Sequence, residues 1–309
     1  MAVTSDTSTP KKSLTKLLSG LLAIVLFGLV AIATISGFLL YQVLHPARQP
    51  ASFDLNVMMG HPVAFSFQMP KGGQREGWFF PGLRGAPTVV VCHGYLSQRA
   101  DVLTLVSALQ DQQFNVFVFD FTGHGTSQGI STLGYEERGE LEAAINALAT
   151  RDDVDPKHFA VWGTDMGAYA ALEVATTDKR VTSFIVDDPY ADPRDMVQIL
   201  IKPSGLTVIP LVSKFCDIGF RLMNYQYRNE PPVTGQLSKT AGDPKMFVMD
   251  NRPLGDGTVQ LFTKSPDPKQ LVRTPSAYSL MSDDDRKNYE NQVVSFFLLN
   301  IPPTTRPVK

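Results

Sequence analysis

The spacing of apolar and polar positions divides the chain into two unlike parts. From Leu17 to Leu44 there is no Asp, Glu, Lys or Arg, and Leu, Ile, Val, Ala and Phe dominate without a polar face. The run exceeds the roughly 20 residues that cross a bilayer as a helix. It is also far longer than the roughly 7–15-residue apolar core of a cleaved secretory leader, so it reads as a retained anchor. Lys11, Lys12 and Lys16 precede it against Asp6 alone, whereas His45 and Arg48 follow. By the positive-inside tendency, residues 1–16 form a cytoplasmic segment, 17–44 a single-pass transmembrane anchor and 45–52 a linker, with the rest extracytoplasmic. The lipid bilayer is then a partner through that anchor.

Beyond the linker the pattern alternates. Short β-branched or aromatic runs, Val63–Gln68, Gly77–Phe80, Thr88–Cys92, Asn115–Phe119, Phe159–Trp162, Thr182–Val186, Lys245–Met249 and Gln270–Arg273, are separated by longer segments. Among these, Arg99–Gln112, Tyr135–Ala149, Met166–Thr176 and Asp283–Leu299 carry apolar residues at helical spacing. Alternation of this kind predicts an α/β domain over 53–301, a mostly parallel eight-stranded sheet with helices on both faces. Residues 190–242 break the rhythm, with Pro203, Pro210, Pro231 and Pro232 around an apolar, helix-like Leu206–Tyr227. They read as a cap-like insertion after strand six, and 302–309 as a flexible tail.

Composition changes this picture little. The 309 residues are 43% hydrophobic and 19% charged, an ordinary globular balance. With 28 basic against 30 acidic side chains there is no field to gather phosphates, so nucleic acid is not an expected partner. Cys92 and Cys216 are too few for a disulfide scaffold, and Cys92, inside an apolar strand, is expected as a buried free thiol. No histidine, cysteine or acid falls at metal-ligand spacing, and no glycine-rich dinucleotide loop is present. Neither metal nor organic cofactor is expected.

The candidate chemistry lies where strands end. Ala160-Val161-Trp162-Gly163-Thr164-Asp165-Met166-Gly167-Ala168 places an apolar strand, a G-x-D-x-G turn and a run of small residues opening a helix. Val89-Val90-Val91-Cys92-His93-Gly94-Tyr95 is a strand ending in His-Gly, and Asp120-Phe121-Thr122-Gly123-His124-Gly125-Thr126-Ser127 a loop after the next strand. In this order the three segments resemble the α/β-hydrolase superfamily, and their texture is most similar to its lipase and serine-aminopeptidase-like branch. The resemblance spans Phe53 to Ile301. It implies a nucleophile elbow at residue 165 and an oxyanion-hole region at Gly94, Tyr95 and Met166.

The departures from that family bear on function. The elbow carries Asp165 where most of the superfamily has Ser. A carboxylate can attack carbon, as in the haloalkane dehalogenases and epoxide hydrolases of the family, but the resulting ester needs a histidine-activated water. Met166 stands where dehalogenases carry Trp. No Pro follows the His-Gly as in epoxide hydrolases, although Tyr190, Tyr225 and Tyr227 lie in or beside the insertion. The family's last-strand histidine falls at Tyr278 or Ser279, and no histidine follows His158. By family position only His93 approaches Asp165, so Asp165 and His93 are the candidate catalytic pair. Asp187, Asp188, Asp250 and Asp256 are candidate third members, but Asp187-Asp188-Pro189 also reads as a strand exit and Asp256-Gly257 as a turn. An anion at residue 165 would also be held by the following helix and the oxyanion amides without catalysing anything.

Three readings follow. One is a degenerate, pseudoenzyme-like hydrolase that binds a small hydrophobic acyl or ester ligand, or a partner, without turnover. A second is an active hydrolase of esters, amides or epoxides, with Asp165 as nucleophile or base and His93 assisting. The third is a non-catalytic interaction scaffold on a membrane anchor.

Overall fold

The computed structural model describes residues 9–48, 60–69, 71–250 and 254–304. Its first element, α1 (Thr9–Leu44), contains the whole uncharged run. Leu17, Leu21, Ile24 and Phe27 stand exposed, and the helix is long and apolar enough to cross a membrane. From Gly28 onward the helix changes character. Gly28, Ala31, Ile32, Ser36, Leu39, Leu40, Val43 and Leu44 are partly or fully buried, the i, i+3/i+4 spacing of one helical face. The end of the span is therefore docked on the following domain. Of the expected linker only 45–48 falls within the described residues, while the domain start at 53 and the tail beyond 304 lie outside them.

The domain then runs β1 (Val63–Gln68), β2 (Gln74–Phe80), β3 (Thr88–Cys92), α2 (Leu103–Asp111), β4 (Asn115–Phe119), α3 (Tyr135–Leu148), β5 (Phe159–Thr164), α4 (Met166–Thr177), β6 (Val181–Asp187), α5 (Pro193–Ile201), α6 (Pro210–Met223), β7 (Lys245–Met249), α7 (Gly255–Lys264), β8 (Lys269–Arg273) and α8 (Asp283–Asn300). The strands form one sheet in the order β1-β2-β4-β3-β5-β6-β7-β8. β2 is antiparallel to both its neighbours, and every pair from β4 to β8 is parallel.

Alternate residues of the central strands feed opposite faces of the sheet. Val90, Cys92, Val161, Phe184 and Val186 join a core with α3, α4 and the cap, while Val89, Val91, Ala160, Trp162 and Ile185 join one with α2 and α8. Burial on both faces is why these strands read as unbroken apolar runs rather than as alternation. Both cysteines are free and buried.

Three helices differ from the sequence expectation. α5 opens the insertion with Asp192 accepting the Arg194 N–H and Pro193 at the first helical position, a start signal that the proline count of the segment obscured. α7 begins at Gly255 and carries Asp256 in its first turn, so Asp256-Gly257 is helical and not a loop turn. The helix expected over Leu206–Tyr227 is regular only from Pro210 to Met223, with single 3-10 turns on either side.

Candidate active site

Asp165 sits between β5 and α4 with φ of 36°, a left-handed backbone on a residue other than glycine. Close packing of strand and helix produces this turn. A Cβ at Gly167 would lie 2.5 Å from the Cys92 carbonyl oxygen and 2.6 Å from that of His93, and one at Gly163 would run into the backbone of Gly167. Only hydrogens fit at these points, so α4 presses against the end of β3 and residue 165 is pushed outward at the tip of the sheet.

The Asp165 carboxylate is largely buried, and its Oδ1 accepts two backbone hydrogen bonds, from Tyr95 N–H at 2.7 Å and from Met166 N–H at 2.7 Å. Those two amides are the ones that the resemblance to α/β-hydrolases implies as donors to the negative oxygen of a tetrahedral intermediate. Here the side chain of the elbow residue takes both. Gly94 makes room for it, since a Cβ there would lie 2.6 Å from Asp165 Oδ1. The expected site residues Gly94, Tyr95, Asp165 and Met166 therefore meet around one anion.

His93 is buried and turned to the backbone. Phe121 N–H donates to its Nε2 at 3.0 Å, which leaves the ring proton on Nδ1, donated to the Gly94 carbonyl at 2.8 Å. Neither nitrogen has a lone pair left for a substrate proton. Burial, with a smaller push from His124, brings its pKa down to about 4, so the ring is neutral near pH 7. The structure does not join His93 to Asp165 by a hydrogen bond.

His124 is the imidazole that the sequence reading passed over. Its Nδ1 is 3.0 Å from the Thr122 carbonyl, its ring lies 5.6 Å from that of Tyr95, and its buried Nε2 has no hydrogen-bond partner. Burial lowers its proton affinity, opposed by the bond to Thr122 and by the charges of Glu137, Asp165 and Asp120. His124, and not His93 alone, is thus an imidazole on which the charge of Asp165 acts.

The remaining candidates are engaged elsewhere. Tyr278, where a base is expected, is buried with its hydroxyl 2.6 Å from Glu290 Oε1 and its ring against Trp162. Asp187 ends β6 beside Tyr289, whose phenol pKa is raised first by burial and further by the charge of Asp187 and a hydrogen bond to it. Asp188 accepts the Asp250 N–H at 3.2 Å. Asp120 pins the glycine-rich loop by accepting from Arg99 N–H, Thr126 N–H and Thr126 Oγ1. The cap tyrosines pack: Tyr227 stacks on Tyr135, and Tyr190 donates to the Leu133 carbonyl.

Two cavities border the cap, and Asp165 lines neither. One of about 570 Å³ lies in the cap among Tyr135, Tyr169, Phe220, Leu222, Tyr227 and Arg194. The other, of about 410 Å³, lies beside Leu44, Arg75, Thr122, Ser131 and Met223. The end of α1 closes in between. Tyr95 Oη donates to the Val43 carbonyl at 2.8 Å, and Ser131 N–H to that of Leu44 at 3.0 Å. Carbonyls left open at the end of a helix are thereby satisfied by the oxyanion loop and its neighbour. Among the described residues no group of histidines, cysteines and acids could hold a metal ion.

Comparison with known proteins agrees with this fold. Residues 87–205 match the family model for the alpha/beta hydrolase fold. The chain is 25% identical over 250 residues to the uncharacterized protein YfhR of Escherichia coli K12, covering 77% of this chain and 81% of that protein. It is 27% identical over 142 residues to the alpha/beta hydrolase domain-containing protein WAV2 of Arabidopsis thaliana, 43% of this chain and 44% of that one. Among solved structures, an esterase of Pyrococcus furiosus superposes with a TM-score of 0.65 at 19% identity, over 84% of this chain and 99% of the esterase.

Proposed function

The chain belongs to the α/β-hydrolase superfamily, and from that premise we propose that it is a membrane-anchored member with a degenerate hydrolase site. In this reading it performs no Ser-His-Asp hydrolysis and holds a small hydrophobic acyl or ester ligand, or a partner, without turning it over. The observation that carries the reading is the pair of 2.7 Å hydrogen bonds from Tyr95 and Met166 to Asp165 Oδ1. An oxyanion forming on a substrate would have to displace a carboxylate already bound by the same donors, and its charge would meet that of Asp165. The absence of any histidine after His158 points the same way, since neither half of an acyl transfer then has its usual proton carrier. The aromatic cap cavity offers the ligand space.

The test uses the full-length protein in detergent or nanodiscs, assayed on p-nitrophenyl esters and styrene oxide beside Asp165→Asn. Equal, background-level rates are expected. Turnover by the native protein that disappears in Asp165→Asn overturns the reading. A second reading is favoured by one observation, the unpartnered Nε2 of His124 within the field of Asp165. There Asp165 is a nucleophile and His124 the base for hydrolysis of the ester it forms. A covalent adduct on Asp165, found by peptide mass spectrometry after incubation with an epoxide, supports it.

A further inference from the structure

We propose that the hairpin formed by α5 and α6 dips its tip into the bilayer beside α1, so that the cap lies against lipid as well as over the fold. The proposal rests on the membrane-anchor reading above. Its first support is the register between the two helices. Ser36 Oγ donates to the Val212 carbonyl at 3.2 Å, Cys216 Sγ lies 3.4 Å from the Ser36 carbonyl, and Leu40 fills the notch at Gly219. Residue numbers rise together along both helices, so α1 and α6 run side by side in the same direction. Whatever precedes Val212 is therefore level with the part of α1 that precedes Ser36.

The second support is length. A hydrocarbon slab of about 30 Å takes roughly 20 helical residues. Counted from the last lysine before the run, Lys16, these end near Ser36. The contact face of α1 begins earlier, with Gly28, Ala31 and Ile32 already partly buried. Elements that cover those residues share the depth of the hydrocarbon. Val208 ends the 3-10 turn that leads into α6 at Pro210, so it precedes the level of Val212 on the bilayer side, where apolar faces of interfacial helices reach roughly 5–10 Å deep.

The third support is the chemistry of the tip. Leu206, Val208, Ile209 and Leu211 are exposed, Val208 at 82%, and α5 and α6, which this tip connects, pack against α1, whose own apolar side chains are exposed. A patch of this kind, joined through α5 and α6 to a membrane-spanning helix, is covered by the same lipid. The backbone there is satisfied internally, as such a depth requires: Gly205 N–H bonds the Lys202 carbonyl, Ile209 N–H that of Leu206, and Val212 N–H that of Ile209. The charges of α6, Lys214, Asp217 and Arg221, start at the level of Ser36 and climb away from the bilayer. Lys202 is the one cation at the tip, and its four-carbon stem reaches the headgroups.

The test places a bimane label on Val208→Cys in the full chain, reconstituted in phosphatidylcholine vesicles. Cys92 and Cys216 are buried and do not compete. Phe27→Cys, on the lipid face of α1, and Ser295→Cys, on the opposite side of the domain in α8, serve as references. Brominated phosphatidylcholine is expected to quench Val208→Cys as it quenches Phe27→Cys, while aqueous iodide quenches it roughly threefold less than Ser295→Cys. Quenching by bromolipid at Phe27→Cys but not at Val208→Cys overturns the hairpin insertion alone. Quenching at neither site overturns the anchor reading and the insertion with it.

Discussion

Replacing Asp165 separates a carboxylate kept for chemistry from one kept for structure. Its Oδ1 is the partner of two backbone amides, at 2.7 Å each, in a largely buried position. Asp165→Ala leaves both amides unpaired, at about 1–3 kcal/mol apiece, and some water entry brings the expected loss to about 2–4 kcal/mol. For a domain of this size that is a fall in Tm of roughly 5–15 °C. Asp165→Asn keeps an acceptor oxygen and loses only the charge, so about 1 kcal/mol is expected. Asp165→Gly loses the same bonds as the alanine variant but relieves the positive φ of residue 165, and recovers up to about 1 kcal/mol of the loss. The order native, Asn, Gly, Ala is read by thermal unfolding of the full-length protein in one detergent. Side chains held for catalysis are commonly held at a cost, and removing them raises stability. An alanine variant as stable as the native chain, or more so, refutes the reasoning that Asp165 serves as a structural ligand of the oxyanion amides.

Further outcomes follow from the same contacts. Gly167→Ala drives a Cβ to 2.5 Å from the Cys92 carbonyl oxygen, backbone on both sides, and should cost about 3 kcal/mol, seen as a lower denaturation midpoint. Tyr95→Phe removes the bond from its hydroxyl to the Val43 carbonyl and should cost about 1 kcal/mol, with the end of α1 more readily cut by added protease. His93 is neutral when folded, its pKa brought from 6.5 to about 4 by burial and, less, by His124, against an opposing effect of Asp120. The unfolded chain therefore takes up its proton first as pH falls, and stability present above about pH 6.5 is lost toward pH 4, at up to about 1.4 kcal/mol per unit. His93→Gln should flatten that part of a Tm–pH curve, and superimposable slopes would show that the ring is already charged in the folded state.

Much of the fold was legible because its signals are local. The eight strands were readable as apolar runs bounded by turns, since both faces of the central sheet are buried. The elbow was readable because Gly163 and Gly167 are demanded by backbone contact. The hydrogen-bond partners of the imidazoles were not legible. Whether His93 or His124 keeps a lone pair depends on which way each ring turns, and Phe121 N–H and the Gly94 carbonyl decide that only after β3 and β4 are paired. The docking of α1 was hidden for another reason. Its buried face, Gly28 to Leu44, is largely apolar like its exposed side, so the periodicity that marks an amphipathic helix is absent although one face is in fact packed.

The strained elbow is weak testimony to activity in this chain. In a working hydrolase the positive φ at the turn exposes a nucleophile, and strain stored at such a point is commonly read as a sign of function. Here the same φ follows from contacts that involve no chemistry: Gly163 against Gly167, Gly167 against Cys92 and His93, and Asp165 N–H donating to the Asp187 carbonyl at 2.8 Å. Any residue at 165 would inherit the turn. What differs is the direction of the polar atoms once the turn is made. A serine hydroxyl has a short reach and leaves the amides of Tyr95 and Met166 for a substrate oxygen, whereas the longer aspartate side chain folds back and satisfies both. On the proposed reading, one added carbon and one added oxygen convert an anion-receiving hole into an anion-filled one, while the packing that built the hole is left intact.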